Sequence, residues 1–454
     1  MSRLQKNCLI AAITVVVISG GLALLQRDKL PSQQHQPVAG NGAHQGLREE
    51  GVTPEDLRTI LQDVSPLANA FAVPIGTDQE QQLLHQFRQR YFTPWTMSEP
   101  RFWIEKVRDR NQQLAARTWY GENRQQVVQA RVQQLVDLTD WEHFPSMNQA
   151  GVVVKPVALR ILPTLRPLYE APDDFPFDHL QFAEIKPNEP VRILHRSTDG
   201  AWLYIETSTV NGWVDPDAVA FADSSVQQRL TEATQLVIIR DFTSVQTQQG
   251  KTVSQPKIGT LYPLVAEETD HWVVDMAVAG TDQNAVLTRA RIAKSDARPH
   301  PLLFTADAVS LIGNALLKTP YGWGEVYRNR DCSATTRDFF LAFGIWLPRN
   351  SHQQINAGPF VSLTHLSSIE KEQRIREQGT PFAPCSITQG ISCFMSAFAG
   401  ANRSSSTRPG GSATRLRTAL KKNTLSAGPL SARWSWERNC PCPRGACSND
   451  WMPC

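Results

Sequence analysis

Between Cys8 and Cys385 the chain has a single cysteine, Cys332, and the 454 residues contain no long apolar run after Leu25. The first scarcity excludes a disulfide scaffold for the body of the chain, and the second leaves Leu9–Leu25 as the one run long enough to suggest a spanning helix. Clustered basic residues interleaved with aromatics are also missing before residue 385, so no nucleic-acid surface is expected. Net charge is +3 and unevenly spread: residues 385–454 hold nine Lys/Arg against two Asp/Glu and carry +7, leaving the rest at −4. Histidine is scarce where it would matter, since only His352 and His365 follow Cys332.

At the N-terminus, Arg3 and Lys6 precede the apolar run Leu9–Leu25, the pattern of a signal peptide or an uncleaved signal anchor over residues 1–25. The chain is therefore expected to be exported to the cell envelope, periplasmic and held at the inner membrane or secreted. Residues 26–51, rich in Gln, Gly, His and Pro, read as a flexible linker. Apolar residues recur at helical spacing over Asp78–Tyr91 and Asn123–Leu138, which predicts a small helical domain at 55–148 with its tryptophans in the core.

From Gly151 the period changes to two. Val191–Leu194, a turn ending at Gly200, Trp202–Ile205, an Asn211-Gly212 hairpin signal and Trp213-Val214 predict short paired strands. A second copy follows, in which Thr269-Asp270-His271-Trp272 echoes Thr198-Asp199-Gly200-Ala201-Trp202. Two small β-barrels are expected, at 150–222 and 234–295.

Helical spacing returns from Thr305 to Leu317, and a glycine-rich turn, Tyr321-Gly322-Trp323-Gly324, then leads to Asp331-Cys332-Ser333. Asp331 suits an N-cap, Phe339, Phe340 and Phe343 give an apolar face, and Gly344 can end the helix. A thiol at such a helix start meets unpaired N–H groups and the positive end of the macrodipole, which favours thiolate. Cys332 is thus a candidate nucleophile, with a buried core cysteine as the alternative.

Together with Leu347-Pro348-Arg349-Asn350-Ser351 and Gln354, these residues resemble the NlpC-type cell-wall cysteine peptidases, papain-like murein endopeptidases. The upstream order is similar to a branch of that family with a helical N-terminal domain and two bacterial SH3-like barrels, to which Val157–Thr164 and Asp173–Asp178 also correspond. The resemblance implies a multidomain α+β fold whose papain-like peptidase domain begins at about 300 and runs to 383, truncated or disordered beyond. It also implies a substrate, the peptidoglycan stem peptides, cut at the γ-D-glutamyl-diamino acid bond, with no cofactor and a monomeric enzyme. Cys332 would attack the amide carbonyl and form a thioester, Tyr321 would help bind the oxyanion, and Ser351 and Gln354 would order their loop. A non-catalytic wall-binding protein using the barrels is the rival.

A histidine base is required and is not found in its expected place, because His352 lies in the Leu-Pro-Arg loop and His365 precedes the charged stretch Glu370–Glu377. Beyond Ala383 the composition turns to Ser, Arg, Pro and Gly, with Cys385, Cys393, Cys440, Cys442, Cys447 and Cys454. A zinc site or disulfides there are alternatives, although paired Cys-x-x-Cys units are missing. The codons of Gln389–Ala397, read from each third base, permit Gly-His-Ile-Met-Leu-Tyr-Val-Gly. At the same offset Asn402–Ser412 permits Pro-Val-Val-Phe-His-x-Thr-Trp-Gly-Ile. Both resemble the family's histidine segments, so a frame slip near Ala383 or Pro384 is the preferred explanation, with 384–454 expected to be an aberrant, structureless tail.

Overall fold

The computed structural model describes residues 63–71, 77–357, 362–363, 366–367, 370, 373–374, 385–388 and 391–394. The expected signal segment, the linker, His365 and the last four cysteines lie outside the described residues. No helix among the described residues is long and apolar enough to cross a membrane.

The N-terminal helices are α1 (Ser65–Phe71), α2 (Thr77–Tyr91), α3 (Ile104–Ala116) and α4 (Gln129–Asp137). Helix α2 carries Asp78 and Glu80 in its first turn and Arg88 and Arg90 in its last, charges that complement the macrodipole. Helix α4 starts later than the apolar spacing suggested: residues 123–128 form a turn and a bridge, in which Tyr120 pairs with Gln126. These helices have no core in common. Phe87, Tyr91 and Phe92 join the cluster around α6 (Ala306–Leu316) and α7 (Cys332–Ala342), whereas Leu114, Trp119, Val132 and Leu135 complete the core of the first barrel. Each helix is short with one apolar face, and burying that face against a neighbouring unit removes more apolar surface from water than pairing short helices with each other. Trp119 and Trp141 are core residues, but Trp103 is 71% exposed.

The first barrel comprises β1 (Gln149–Val153), β2 (Val157–Arg160), β3 (Gln181–Ile185), β4 (Pro190–Arg196), β5 (Leu203–Glu206), β6 (Asn211–Val214) and β7 (Val219–Phe221), in the spatial order β3-β2-β6-β5-β4-β1-β7. After α5 (Ser224–Glu232), capped by Asp223 on the Val226 N–H, come β8 (Gln235–Ile238), β9 (Val245–Gln246), β10 (Thr252–Ser254), β11 (Leu261–Glu267), β12 (His271–Ala279), β13 (Ala285–Ala293) and β14 (Ala297–Pro299). Their order is β10-β9-β13-β12-β11-β8-β14, the same as the first with every index raised by seven. The echoed Thr-Asp…Trp segments therefore occupy equivalent turns, β4–β5 and β11–β12. Strand β14 pairs with β8, so the second sheet extends past residue 295.

One expected turn is misplaced. Asn211 and Gly212 lie inside β6, paired with Glu206 and Ile205, and the hairpin turns at Thr207–Val210, where the Thr207 N–H donates to the Val210 carbonyl at 2.7 Å. Gly212 is there for space: a Cβ would sit 2.4 Å from Leu159 Cδ2 and 2.6 Å from the Arg160 carbonyl oxygen.

After Ala383, where no strand was expected, Cys385–Thr388 (β15) and Ile391–Phe394 (β16) pair as an antiparallel hairpin with Cys385 opposite Phe394. It lies against α7 and α8 (Ser351–Ile355). The correction has a simple cause: Ile387, Ile391 and Phe394, with Ser and Thr between, have adequate strand propensity over a short span.

Candidate active site

Helix α7 opens at Cys332, with Asp331 as its N-cap: the carboxylate accepts from the Ala334 N–H at 2.9 Å and from Ser333 Oγ at 3.1 Å. The helix closes in a Schellman arrangement, Gly344 N–H to the Leu341 carbonyl and Ile345 N–H to the Phe340 carbonyl, with Gly344 at φ +70°. Every residue of α7 is buried, Arg337 and Asp338 included. Cys332 is 5% exposed and takes part in no disulfide.

The glycine-rich turn is fastened to Arg330, one residue before the cap. Tyr321 forms a parallel bridge with Arg330, and the Gly322 N–H donates to the Arg330 carbonyl at 2.9 Å. Tyr321 is thereby held close in the chain to the start of α7. On the following side, Gln354 Nε2 donates to the Ser333 and Pro348 carbonyls at 3.0 and 2.8 Å, which ties the Leu347–Ser351 loop to the first turn of α7. Ser351 is fully buried at the start of α8, and His352, half-buried, is the only histidine after Cys332 among the described residues.

The first barrel presses on this turn. Gln181 Nε2 donates to the Gly324 carbonyl at 3.1 Å, and Gly324 takes φ +58° with its missing Cβ aimed at the Gln181 carbonyl, 2.1 Å away. Trp323 stands edge-on to Phe177, ring centres 5.8 Å apart, and lies 6.1 Å from His179, while Tyr327 meets Phe175 at 6.2 Å. All three barrel rings sit on the β2–β3 loop. Buried Arg160 organises that loop by donating to the Thr164 carbonyl, Asp178 and Gln181 Oε1 at 2.9, 2.6 and 2.8 Å. Phe175 and Tyr327 are more than 60% exposed, so the seam between barrel and turn ends in an open aromatic surface.

A buried charge network, not anticipated from the sequence, joins α7 to both barrels. Asp338 accepts from Lys186 Nζ of the first barrel at 2.7 Å, from Arg330 Nε at 2.7 Å and from Arg337 Nη2 at 3.0 Å. Arg330 is bidentate on Asp241 of the second barrel, at 2.6 and 2.8 Å. Glu325 lies 3.2 Å from Arg337 and Arg349 and 3.5 Å from Lys257. Burial alone would raise both carboxyls. The surrounding cations outweigh it, holding Asp338 well below the usual range and Glu325 down to about 2. Burial lowers Lys257 despite Glu325 beside it. The available signal was Arg337-Asp338 next to Phe339-Phe340 within a helix read as amphipathic. Charges beside the apolar face show only that they are near it, not that Lys186, from the loop between β3 and β4 and 152 residues away, meets Asp338 in the interior.

No group of three or more His, Cys, Asp or Glu side chains suited to a metal ion occurs among the described residues. The side chains of Cys385 and Cys393 and the remaining tail cysteines are outside them.

A thiol thus stands on the first residue of a buried helix, behind a glycine-rich turn clamped by a small barrel, in a multidomain α+β fold. The sequence comparisons agree. Residues 29–144 match the NLPC_P60 stabilising N-terminal domain, 167–215 the SH3b1-type SH3 domain, 223–268 the SH3b2-type SH3 domain and 318–380 the NlpC/P60 family. Residues 318–380 thus carry an NlpC/P60 domain behind its N-terminal stabilising domain and two SH3 domains, a match that supports a cell-wall endopeptidase. The chain's fold is similar to an NlpC/P60 endopeptidase from Photobacterium damselae subsp. piscicida, with TM-score 0.62 and 21% identity, over 73% of this chain and 76% of that one. An NlpC/P60 family protein from Bacillus cereus ATCC 10987 aligns at TM-score 0.34 and 17% identity, over 48% of this chain and 80% of that one. No curated protein matches the chain. The peptidase match stops at 380, just before the change of composition.

Proposed function

We propose that the chain is an exported murein endopeptidase in which the Cys332 thiolate attacks the γ-D-glutamyl carbonyl of a stem peptide. A thioester forms, the diamino-acid amine leaves, and water then releases the acyl group. Tyr321 serves the developing oxyanion. The observation that carries this is Cys332 at the capped start of α7, two residues after Arg330, to which the glycine-rich turn is hydrogen-bonded. The enzyme works as a monomer on peptidoglycan stem peptides, without a cofactor and without nucleic acid, in the periplasm or held to the inner membrane by residues 1–25.

A second reading is favoured by one fact of the sequence: only His352 and His365 follow Cys332, the first in the Leu-Pro-Arg loop and the second before the charged stretch Glu370–Glu377. The leaving amine needs a proton donor, and loss of a triad member costs several orders of magnitude in rate. This chain is then impaired, and its barrels hold it to murein without turnover. Purified chain, the Cys332→Ala variant and a version restored to the alternative frame after Ala383 separate the cases. Hydrolysis of murein tripeptides by the restored version, abolished by Cys332→Ala, supports the peptidase. Hydrolysis that survives Cys332→Ala removes the nucleophile.

A further inference from the structure

The carboxylate that caps α7 presents an electrostatic problem. Asp331 is adjacent in sequence to Cys332 and is fully buried, so an uncompensated negative charge there would oppose ionisation of the neighbouring thiol. A cap good for the helix would be bad for the nucleophile. The compensating charge comes from the loop that follows α7: Arg349, itself 0% exposed, places Nη1 3.0 Å from Asp331 Oδ1 and Nη2 2.6 Å from Oδ2, a two-pronged pair. The same Nη1 donates to Ser333 Oγ at 2.8 Å, so the guanidinium grips the residues on both sides of Cys332. Its third nitrogen lies 3.2 Å from Glu325 Oε2, on the far side of the glycine-rich turn.

We infer that Arg349 is a positioning residue for Cys332: it cancels the charge of the Asp331 cap and bolts the first turn of α7 to the Leu347–Ser351 loop, so that a carboxylate can hold the helix start without suppressing the thiolate. This rests on Cys332 being the nucleophile. It adds a residue to which the sequence pattern assigned no role.

The other charged groups on the described elements around this turn are Glu325 and Arg330 on the segment before the cap and Arg337 and Asp338 deeper in α7. Lys186 and Asp241 reach them from the two barrels, and Lys257 reaches Glu325. Glu184 and Glu189 of the first barrel face the same cations, and Tyr321, Tyr327 and His352, on α8, are further titratable side chains nearby. Of these, Glu325 also loses a partner when Arg349 is altered, but Arg337 and Lys257 still hold it, so a two-residue cycle reads chiefly the Asp331–Arg349 pair.

The experiment is iodoacetamide alkylation of the full chain across pH, read by mass spectrometry on the peptide containing Cys332, which separates it from the other seven cysteines. Arg349→Met leaves the cap carboxylate uncompensated and should raise the alkylation midpoint by about one unit, a roughly tenfold slower reaction below both midpoints. Asp331→Asn keeps a good N-cap but leaves the guanidinium unopposed, and should lower the midpoint. The double variant Asp331→Asn, Arg349→Met should return close to the parent value, a rescue that a merely structural Arg349 would not produce. An unchanged midpoint in Arg349→Met, or a double variant displaced as far as that single one, overturns the inference. If Arg349→Met does not fold, Asp331→Asn decides alone: a midpoint that stays put or rises refutes it. Alkylation requires neither turnover nor a histidine, so its outcome is independent of whether Cys332→Ala abolishes murein hydrolysis.

Discussion

Replacing Gly324 by alanine should detach the glycine-rich turn from the first barrel, and the size of the effect follows from two separate penalties. Gly324 sits at φ +58°, where a residue with a Cβ is disfavoured by about 1–2 kcal/mol. The added Cβ would also lie 2.1 Å from the Gln181 carbonyl oxygen, a backbone atom in a strand that cannot swing aside as a side-chain tip could. Relieving that overlap means moving the turn by about an ångström, with an overpacking cost of about 1–3 kcal/mol. The sum is about 2–5 kcal/mol. Gly200→Ala is the control, since Gly200 has φ +70° but nothing within 4 Å of its missing Cβ, so only the first penalty applies. Urea unfolding followed by tryptophan fluorescence should place Gly324→Ala about 1–3 kcal/mol below Gly200→Ala. Equal destabilisation of the two would mean that the turn does not rest on the Gln181 carbonyl, and the proposed seam between barrel and site would be wrong.

Asp338→Asn strips a shared partner from Lys186, Arg330 and Arg337 and should destabilise by about 3–5 kcal/mol in the same assay, with a smaller loss for Lys186→Met; a loss under about 1 kcal/mol for Asp338→Asn would show that the network is not holding α7 against the barrels. Glu325, depressed from 4.5 to about 2 by Arg337, Lys257 and Arg349 against the opposing effect of burial, contributes stability that is complete above about 4.5 and lost as pH falls toward about 2. Urea midpoints measured over that window should fall for the parent and flatten for Glu325→Gln. Burial lowers His300 from 6.5 to about 4, although its carbonyl partner Leu341 opposes the shift, so its contribution is complete above 6.5 and declines from there to about 4. His300→Gln should remove that slope, and a slope unchanged in the variant would assign it elsewhere.

Legibility in the sequence varied with the range of the interaction responsible. The boundaries of α7 could be read because their causes are a few residues apart: Asp331 caps Ala334, and Gly344 supplies the left-handed residue that ends the helix. The alternation of the barrel strands and the echoed Thr-Asp…Trp turn were equally local, and the two sheets share one strand order. Asn211-Gly212 misled because its usual meaning is a tight turn, while here the glycine makes room for Leu159 and the Arg160 carbonyl from a strand some fifty residues earlier.

Local sequence therefore determined which segments become helices and strands, where the nucleophile's helix begins and which thiol stands at its head, since capping, periodicity and turn chemistry act over one or two turns of chain. Tertiary structure alone decided that α1 and α2 join the core around α6 and α7 while α3 and α4 pack with the first barrel, that Arg337 and Asp338 are buried rather than solvated, and that Arg349 meets Asp331. Lys186 and Asp338 are 152 positions apart. A buried charge is tolerable only when an opposite charge arrives at hydrogen-bond distance, and where that partner comes from is a property of the assembled layers rather than of any window of sequence.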